Sequence, residues 1–169
     1  MRIAVGSDHA GFDLKEIVKA ELAALGHEVI DQGTDRGDVS VDYPDFGAAV
    51  GRAVAGGTAR LGVCVCGSGN GIAMAANKVP GIRAAVVHDV TTASLARRHN
   101  HANVLCLGAR VTGPIVAVDA LHAFHDAPEE RGRHQGRIVK LALLDQHEAA
   151  VQPRGDRELV HQSRPGGTP

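Results

Sequence analysis

Cys64-Val65-Cys66-Gly67-Ser68-Gly69-Asn70-Gly71 is the stretch on which the reading of the fold turns. It reads as the end of a buried strand, Leu61–Cys66, that stops on a thiol and runs into a glycine-rich turn. A helical segment, Ile72–Asn77, follows. Such a turn aims several backbone N–H groups into one small space, and a helix start adds partial positive charge. An anion placed there is held, and a thiol placed there ionises more readily. One segment thus offers an anion hole and a proton-transfer group together.

The same strand–helix alternation extends in both directions. Arg2–Ser7, Glu28–Asp31, Arg83–Val87 and Val104–Leu107 are further strand candidates. Leu14, Ile17, Val18, Leu22 and Leu25 recur at helical spacing before Gly26. Helical patterns also fit Asp45–Ala55, Thr91–His99, Pro114–His125 and Glu129–Glu148. Val-rich strands alternating with helices predict an α/β fold, a Rossmann-like three-layer αβα sandwich with a five-stranded parallel sheet. The predicted domain covers 1–150. The segment Val151–Pro169, rich in Pro, Gly and charge, reads as a tail.

Composition narrows the function. The 169 residues carry 18 basic and 19 acidic side chains, a net charge of −1, so nothing electrostatic favours nucleic acid or a membrane surface as partner. The apolar runs are too short for a bilayer span, and the N-terminus opens as a strand rather than a signal peptide. The 3 cysteines, Cys64, Cys66 and Cys106, are an odd number on inner strands, which suits free thiols and a cytoplasmic location. With only 3 Phe, 1 Tyr and no Trp, the core is built from small aliphatic residues, and a subunit interface is expected to add stability.

In an open parallel sheet ligands bind beyond the carboxyl ends of the strands. Three segments are expected to meet there: Ser7-Asp8-His9-Ala10-Gly11, Cys66–Gly71 and the turn after Val87. Asp8-His9 reads either as a hydroxyl-binding carboxylate beside an anion-binding imidazole, or as a helix N-cap beside a surface histidine. Cys64 and Cys66 share one strand face. Burial as a small hydrophobe suits Cys64 better than Cys66, which stands against the turn. Gly67-x-Gly69-x-Gly71 lacks the spacing of the dinucleotide fingerprint. No zinc spacing is present, and His99-x-His101 has no acidic partner close in sequence, so neither metal nor cofactor is expected. Arg133 and Arg137, four apart, project together if helical and suit a phosphate, with Arg110 as a third cation; a solvated charged face is the plainer reading. Phosphate clamp, anion hole, thiol and imidazoles point to proton transfer on a small phosphorylated substrate.

These pieces together resemble the B-type ribose-5-phosphate isomerases, the family that also holds allose-6-phosphate and galactose-6-phosphate isomerases. The matching segments are Gly6–Phe12, Asp42-Tyr43-Pro44, Cys66–Gly71 with Ala75–Lys78, His99-Asn100 with Asn103–Leu105, Leu107–Arg110, and Arg133-His134-x-x-Arg137. They span Met1 to about Glu148. The resemblance implies aldose–ketose isomerisation through a cis-enediolate without metal, with Cys66 as the base between C2 and C1. It implies His99 as the ring-opening acid, Asp8 at the ring oxygens, and Ser68 with the N–H groups of Gly67, Gly69, Asn70 and Gly71 at the enediolate. Asn100 and Tyr43 would contact hydroxyls; His9, Arg110, Arg133 and Arg137 would bind phosphate, with His134 nearby. It also implies a homodimer or dimer of dimers, with His99, Asn100 and Arg110 delivered by the neighbouring subunit. Some relatives place a Glu just after the glycine turn; Ile72 stands there here, which assigns the chain to the cysteine branch. An isomerase of another phosphosugar, including a tetrulose phosphate, and a non-catalytic phosphate-ligand-binding module are the alternatives.

Overall fold

A computed structural model describes residues 1–151. The segment read as a tail lies, but for Val151, outside the described residues. Five parallel strands, β1 (Arg2–Ser7), β2 (Glu28–Asp31), β3 (Leu61–Cys66), β4 (Ala84–Val86) and β5 (Val104–Gly108), form one sheet in the order β2-β1-β3-β5-β4. The helices are α1 (Phe12–Ala24), α2 (Tyr43–Ala55), α3 (Asn70–Ala76), α4 (Val90–Asn100), α5 (Pro114–Asp126) and α6 (Gln135–Val151). Short 3₁₀ turns at His9–Gly11 and Gly132–His134 precede α1 and α6. The α/β sandwich expected from the alternation is the observed fold. Among the described residues no helix is long and apolar enough to cross a membrane.

Strand alternation sends side chains to two cores. Ile3, Val5, Val63, Val65, Leu105 and Leu107 pack under α1, α4 and α5, with Leu14, Val18, Leu121 and Phe124. Ala4, Cys64, Cys66, Val104 and Cys106 face the other way, against Val50 of α2 and Ile72, Ala73 and Ala76 of α3. Cys64 and Cys66 therefore share a face, as their spacing predicts. Cys64 lies opposite Cys106 in the ladder, and hydrogen bonding to Cys64 together with burial pushes the Cys106 thiol well up. All three cysteines are free and buried.

The strand order fixes the site. The chain leaves β1 toward β2 on one side and later returns to place β3 on the other. The switch point, where a crevice opens, lies between the carboxyl ends of β1 and β3. β5 sits next to β3, and β4 is the edge strand. The turn after Val87 is thus one strand too far out, and the loop after β5 takes the place that the sequence reading gave it.

One helix begins later than expected. Residues 127–131 are not helical, and α6 starts at Gln135 rather than Glu129. Gly132 takes φ +73°, a left-handed conformation that interrupts a helix. The Glu130 N–H donates to the Arg98 carbonyl at 2.9 Å instead of entering a helical ladder. Arg133 consequently lies in the 3₁₀ turn and Arg137 in the first turn of α6, not on one continuous helix.

Candidate active site

A cleft of about 370 Å³ opens at the switch point. Asp8, His9 and Ala10 line it from the β1 side, Cys66, Gly67, Ser68 and Gly71 from the β3 side. Tyr43 at the start of α2 closes one wall, and Arg110 and Val111 after β5 close another. Cys66 is buried at the end of β3, and its sulfur accepts the Gly69 N–H at 3.1 Å. Gly69 has φ +82°, which bends the turn back over the sulfur. A Cβ at Gly71 would lie 2.6 Å from the Tyr43 ring, so the absence of a side chain there lets Tyr43 reach the turn. The Asn70 N–H is directed at Ser68 Oγ, 3.3 Å away. With only seven residues, α3 contributes little macrodipole.

Asp8 takes the capping position that one of its readings gave it. It is buried in the cleft wall and caps the 3₁₀ turn, with Oδ1 accepting the Gly11 N–H at 3.0 Å. His9 Nδ1 lies 3.2 Å from the N–H and the carbonyl of Val41, which anchors the ring to the loop before α2. Arg110 lines the cleft of its own chain. The Ala109 and Arg110 N–H groups donate to the Cys66 and Gly67 carbonyls, both at 2.9 Å, and hold the loop after β5 beside the glycine turn. That corrects the expectation that Arg110 arrives from a neighbour: β5 pairs directly with β3, so the two loops are adjacent.

His99, Asn100, Arg133, His134 and Arg137 are not in this cleft. Helix α4 starts at the carboxyl edge, after β4, and must return to the opposite edge for β5 to run parallel. Its last residues, His99 and Asn100, end up where the strands begin. There the His99 and His134 rings stack at 4.2 Å with planes 7° apart. Arg133 Nε donates to His134 Nε2 at 3.2 Å. Burial, then the neighbouring His99, Arg133 and Arg137, pushes the His134 imidazole below its usual range. Glu130 organises the group: one carboxylate oxygen takes the Arg98 guanidinium, and the other lies 3.4 Å from His99 Nε2 and 3.8 Å from His134 Nε2. An acidic partner for His99 therefore exists, contrary to the reading from local spacing. His99, Glu130 and His134 are close enough to hold a metal ion. The parallel stack sets the two rings side by side instead of converging their nitrogens on one point, an arrangement unlike a tetrahedral metal site. Asn100 lines a separate hollow with Asn77, Leu141 and Leu144.

A family model for ribose/galactose isomerase matches residues 3–141. The chain belongs to the ribose/galactose isomerase family. It is 44% identical over 145 residues to ribose-5-phosphate isomerase B of Escherichia coli, covering 86% of this chain and 97% of that one. It is 42% identical over 155 residues to ribose-5-phosphate isomerase B of Mycobacterium tuberculosis, covering 90% and 96%. The solved ribose-5-phosphate isomerase B of Clostridium thermocellum superposes with TM-score 0.86 at 45% identity, covering 88% of this chain and 99% of that one.

Two features of this ribose/galactose isomerase escaped the sequence reading. Lys15 is 1% exposed; its Nζ bonds Asp31 Oδ2 at 2.9 Å and the Thr34 carbonyl at 2.6 Å, tying α1 to the end of β2 and the loop beyond it. Its signal was present, a charge in register with Val18 and Leu22 on the apolar stripe of α1. Glu129 and Glu130 are the second. Both had been placed inside a helix, whereas Glu129 pairs with Arg97 at 2.7 Å and Glu130 gathers the histidines. Ile72, where some relatives carry a Glu, is fully buried in the α2–α3 core and has no part in the cleft.

Proposed function

We propose that this chain interconverts ribose 5-phosphate and ribulose 5-phosphate through a cis-enediolate, with Cys66 as the base. The observation that carries the reading is the placement of the Cys66 sulfur under the Gly69 N–H in a cleft shared with Asp8, His9, Tyr43 and Arg110. Its relatives in Escherichia coli and Mycobacterium tuberculosis are named ribose-5-phosphate isomerase B. A solved relative from Mycoplasma genitalium, 40% identical with TM-score 0.83, is described with bound ribulose 5-phosphate.

The chemistry is redox-neutral within the sugar. The Cys66 thiolate removes the proton from C2 of the open-chain aldose, and the electron pair moves onto the C1 carbonyl oxygen. A proton passes from the C2 hydroxyl to that oxygen, and the thiol returns its proton to C1, leaving the carbonyl at C2. Donors at the positions where charge develops lower the barrier, a role for Ser68 and the turn N–H groups of Gly67, Gly69, Asn70 and Gly71. Asp8 and Tyr43 address hydroxyls, and His9 and Arg110 the phosphate. No redox cofactor enters this scheme.

His99 as ring-opening acid, Asn100, and the Arg133–His134–Arg137 cluster complete such a site only from a second copy of the chain, because α4 carries His99 and Asn100 to the opposite sheet edge and the cluster meets them there through the His134–His99 stack. A homodimer with shared sites also gives a partner to Val139, Leu141, Leu143 and Leu144, exposed on α6, and to Ile115, exposed in the first turn of α5. Residues 1–150 form the catalytic domain in this reading. Three free cysteines suit a reducing cytoplasm.

The deciding experiment offers a panel of aldose phosphates in deuterated water. Deuterium entering the sugar with the highest kcat/KM on ribose 5-phosphate supports the reading. A preference for a hexose 6-phosphate moves the substrate within the family, and absence of exchange on every sugar overturns catalysis.

A further inference from the structure

A larger cleft, of about 440 Å³, opens at the edge of the sheet opposite Cys66. Its wall carries four guanidinium groups from separate segments: Arg2 at the start of β1, Arg60 just before β3, Arg83 just before β4, and Arg97 on α4. The loop from Gly57 to Arg60 forms another side. One carboxylate faces them, Glu129, and it is bound to Arg97 at 2.7 Å. Among the described residues Arg2, Arg60 and Arg83 pair with no carboxylate.

Three unpaired cations around one concavity repel each other, and ordinary surface arginines spread apart to avoid this. Here the backbone brings them together, because three of the four stand where parallel strands of the one sheet begin, β1, β3 and β4. Arg97 adds an independent sign. It is 8% exposed, its Nη1 donates to the Ala102 carbonyl at 3.0 Å, and its Nε has no partner. Burial lowers its proton affinity, and Arg60 and Arg83 reinforce that against the pull of Glu129. A buried unpaired N–H and uncompensated positive charge are what a multiply charged oxyanion relieves. A monophosphate carries at most two charges against three unpaired guanidiniums. The chain as a whole has a net charge of −1, which does not favour a nucleic acid strand as the ligand.

We propose that this cleft is a second anion site, distinct from the isomerase cleft, that binds an oligophosphate. The site takes the phosphate chain either as inorganic tripolyphosphate or as the tail of a nucleotide.

Calorimetric titration of the full chain with tripolyphosphate tests it, with Arg60→Ala, Arg2→Ala/Arg60→Ala and Arg137→Ala as variants. Arg137 reports on any binding by the isomerase phosphate cluster. The proposal expects saturable binding that Arg60→Ala weakens about tenfold, the loss expected for a charge-assisted contact, that the double variant weakens further, and that Arg137→Ala leaves in place. Turnover and melting temperature of the two cleft variants match the parent, which separates lost contacts from lost fold. ATP as a second probe distinguishes the sources: affinity equal to tripolyphosphate assigns the site to the phosphate chain alone, and tighter binding to a nucleotide. No binding at millimolar tripolyphosphate, equal affinity in parent and double variant, or loss in Arg137→Ala alone overturns the proposal.

Discussion

The Gly69 N–H points at the Cys66 sulfur across 3.1 Å, and it does so from a left-handed backbone at φ +82°. A Cβ at Gly69 would sit 3.1 Å from the Leu107 carbonyl carbon and 3.2 Å from the Gly108 nitrogen. Gly69→Ala is expected to cost about 1–3 kcal/mol of backbone strain. It should lower kcat more than it raises KM, because the displaced donor faces the reacting sulfur. Steady-state kinetics beside a urea melt separates the two effects.

Cys66→Ser should nearly abolish isomerisation with the fold intact. Loss of a general base costs on the order of 10²–10⁴-fold, and a serine hydroxyl is a far poorer base than a thiolate. Cys64→Ser, on the same strand face but inside the core opposite Cys106, should keep its kcat and lose some stability. Comparable activity in both variants would relocate the base.

A site shared between subunits makes a quantitative prediction. Cys66→Ser and His99→Ala homodimers should each be inactive on the ring-closed sugar phosphate. After mixed refolding, about half of the dimers are hybrids with one intact site, so about a quarter of the parent activity returns. Activity that stays at the level of the separate variants would place both residues' roles within one chain.

The Arg133–His134–Arg137 cluster should act through phosphate. Arg137→Ala is expected to raise KM by roughly tenfold or more, the loss of a charge-assisted hydrogen bond. Arg131→Ala, which precedes the 3₁₀ turn and lies outside the cluster, should change KM little. Equal effects from the two substitutions would misplace the clamp.

Acid stability should follow Asp31. Burial works against its charge, yet Lys19, the Gly33 N–H and Lys15 outweigh it, so its folded pKa falls below the ordinary 3.8. The folded state therefore binds fewer protons than the unfolded chain. The stabilisation is complete above the unfolded value and is lost as pH falls below it. Asp31→Asn should destabilise the protein at neutral pH by about 1.5–3 kcal/mol, since buried Lys15 loses a charge-assisted partner and keeps only Glu16, at 3.1 Å, as a carboxylate. The gap to the parent should narrow in melts below about pH 3.8. A gap independent of pH would assign the loss to packing.

The sequence alone determined the elements that depend on local periodicity and turn chemistry. The alternation of Val-rich runs with helices gave five strands and the α/β class, and Cys66-Gly67-Ser68-Gly69 announced its own turn, because backbone donors and a strand-end thiol are consequences of adjacent residues. Cys64 and Cys66 were assigned to one face by a period of two. Strand order was beyond such reasoning. Whether β4 or β5 lies beside β3 is decided by how crossover helices pack, and that choice put Arg110 rather than the turn after Val87 against the thiol. Glu130 beside His99, Lys15 against Asp31, and the arginines gathered at the far edge are likewise long-range. Each is a charge brought to its neighbour by the sheet, and electrostatic pairing across the fold leaves no period in the chain. The helix expected from Glu129 failed for a related reason: Gly132 and the pull of Arg97 and Arg98 on the two glutamates outweighed local helical preference.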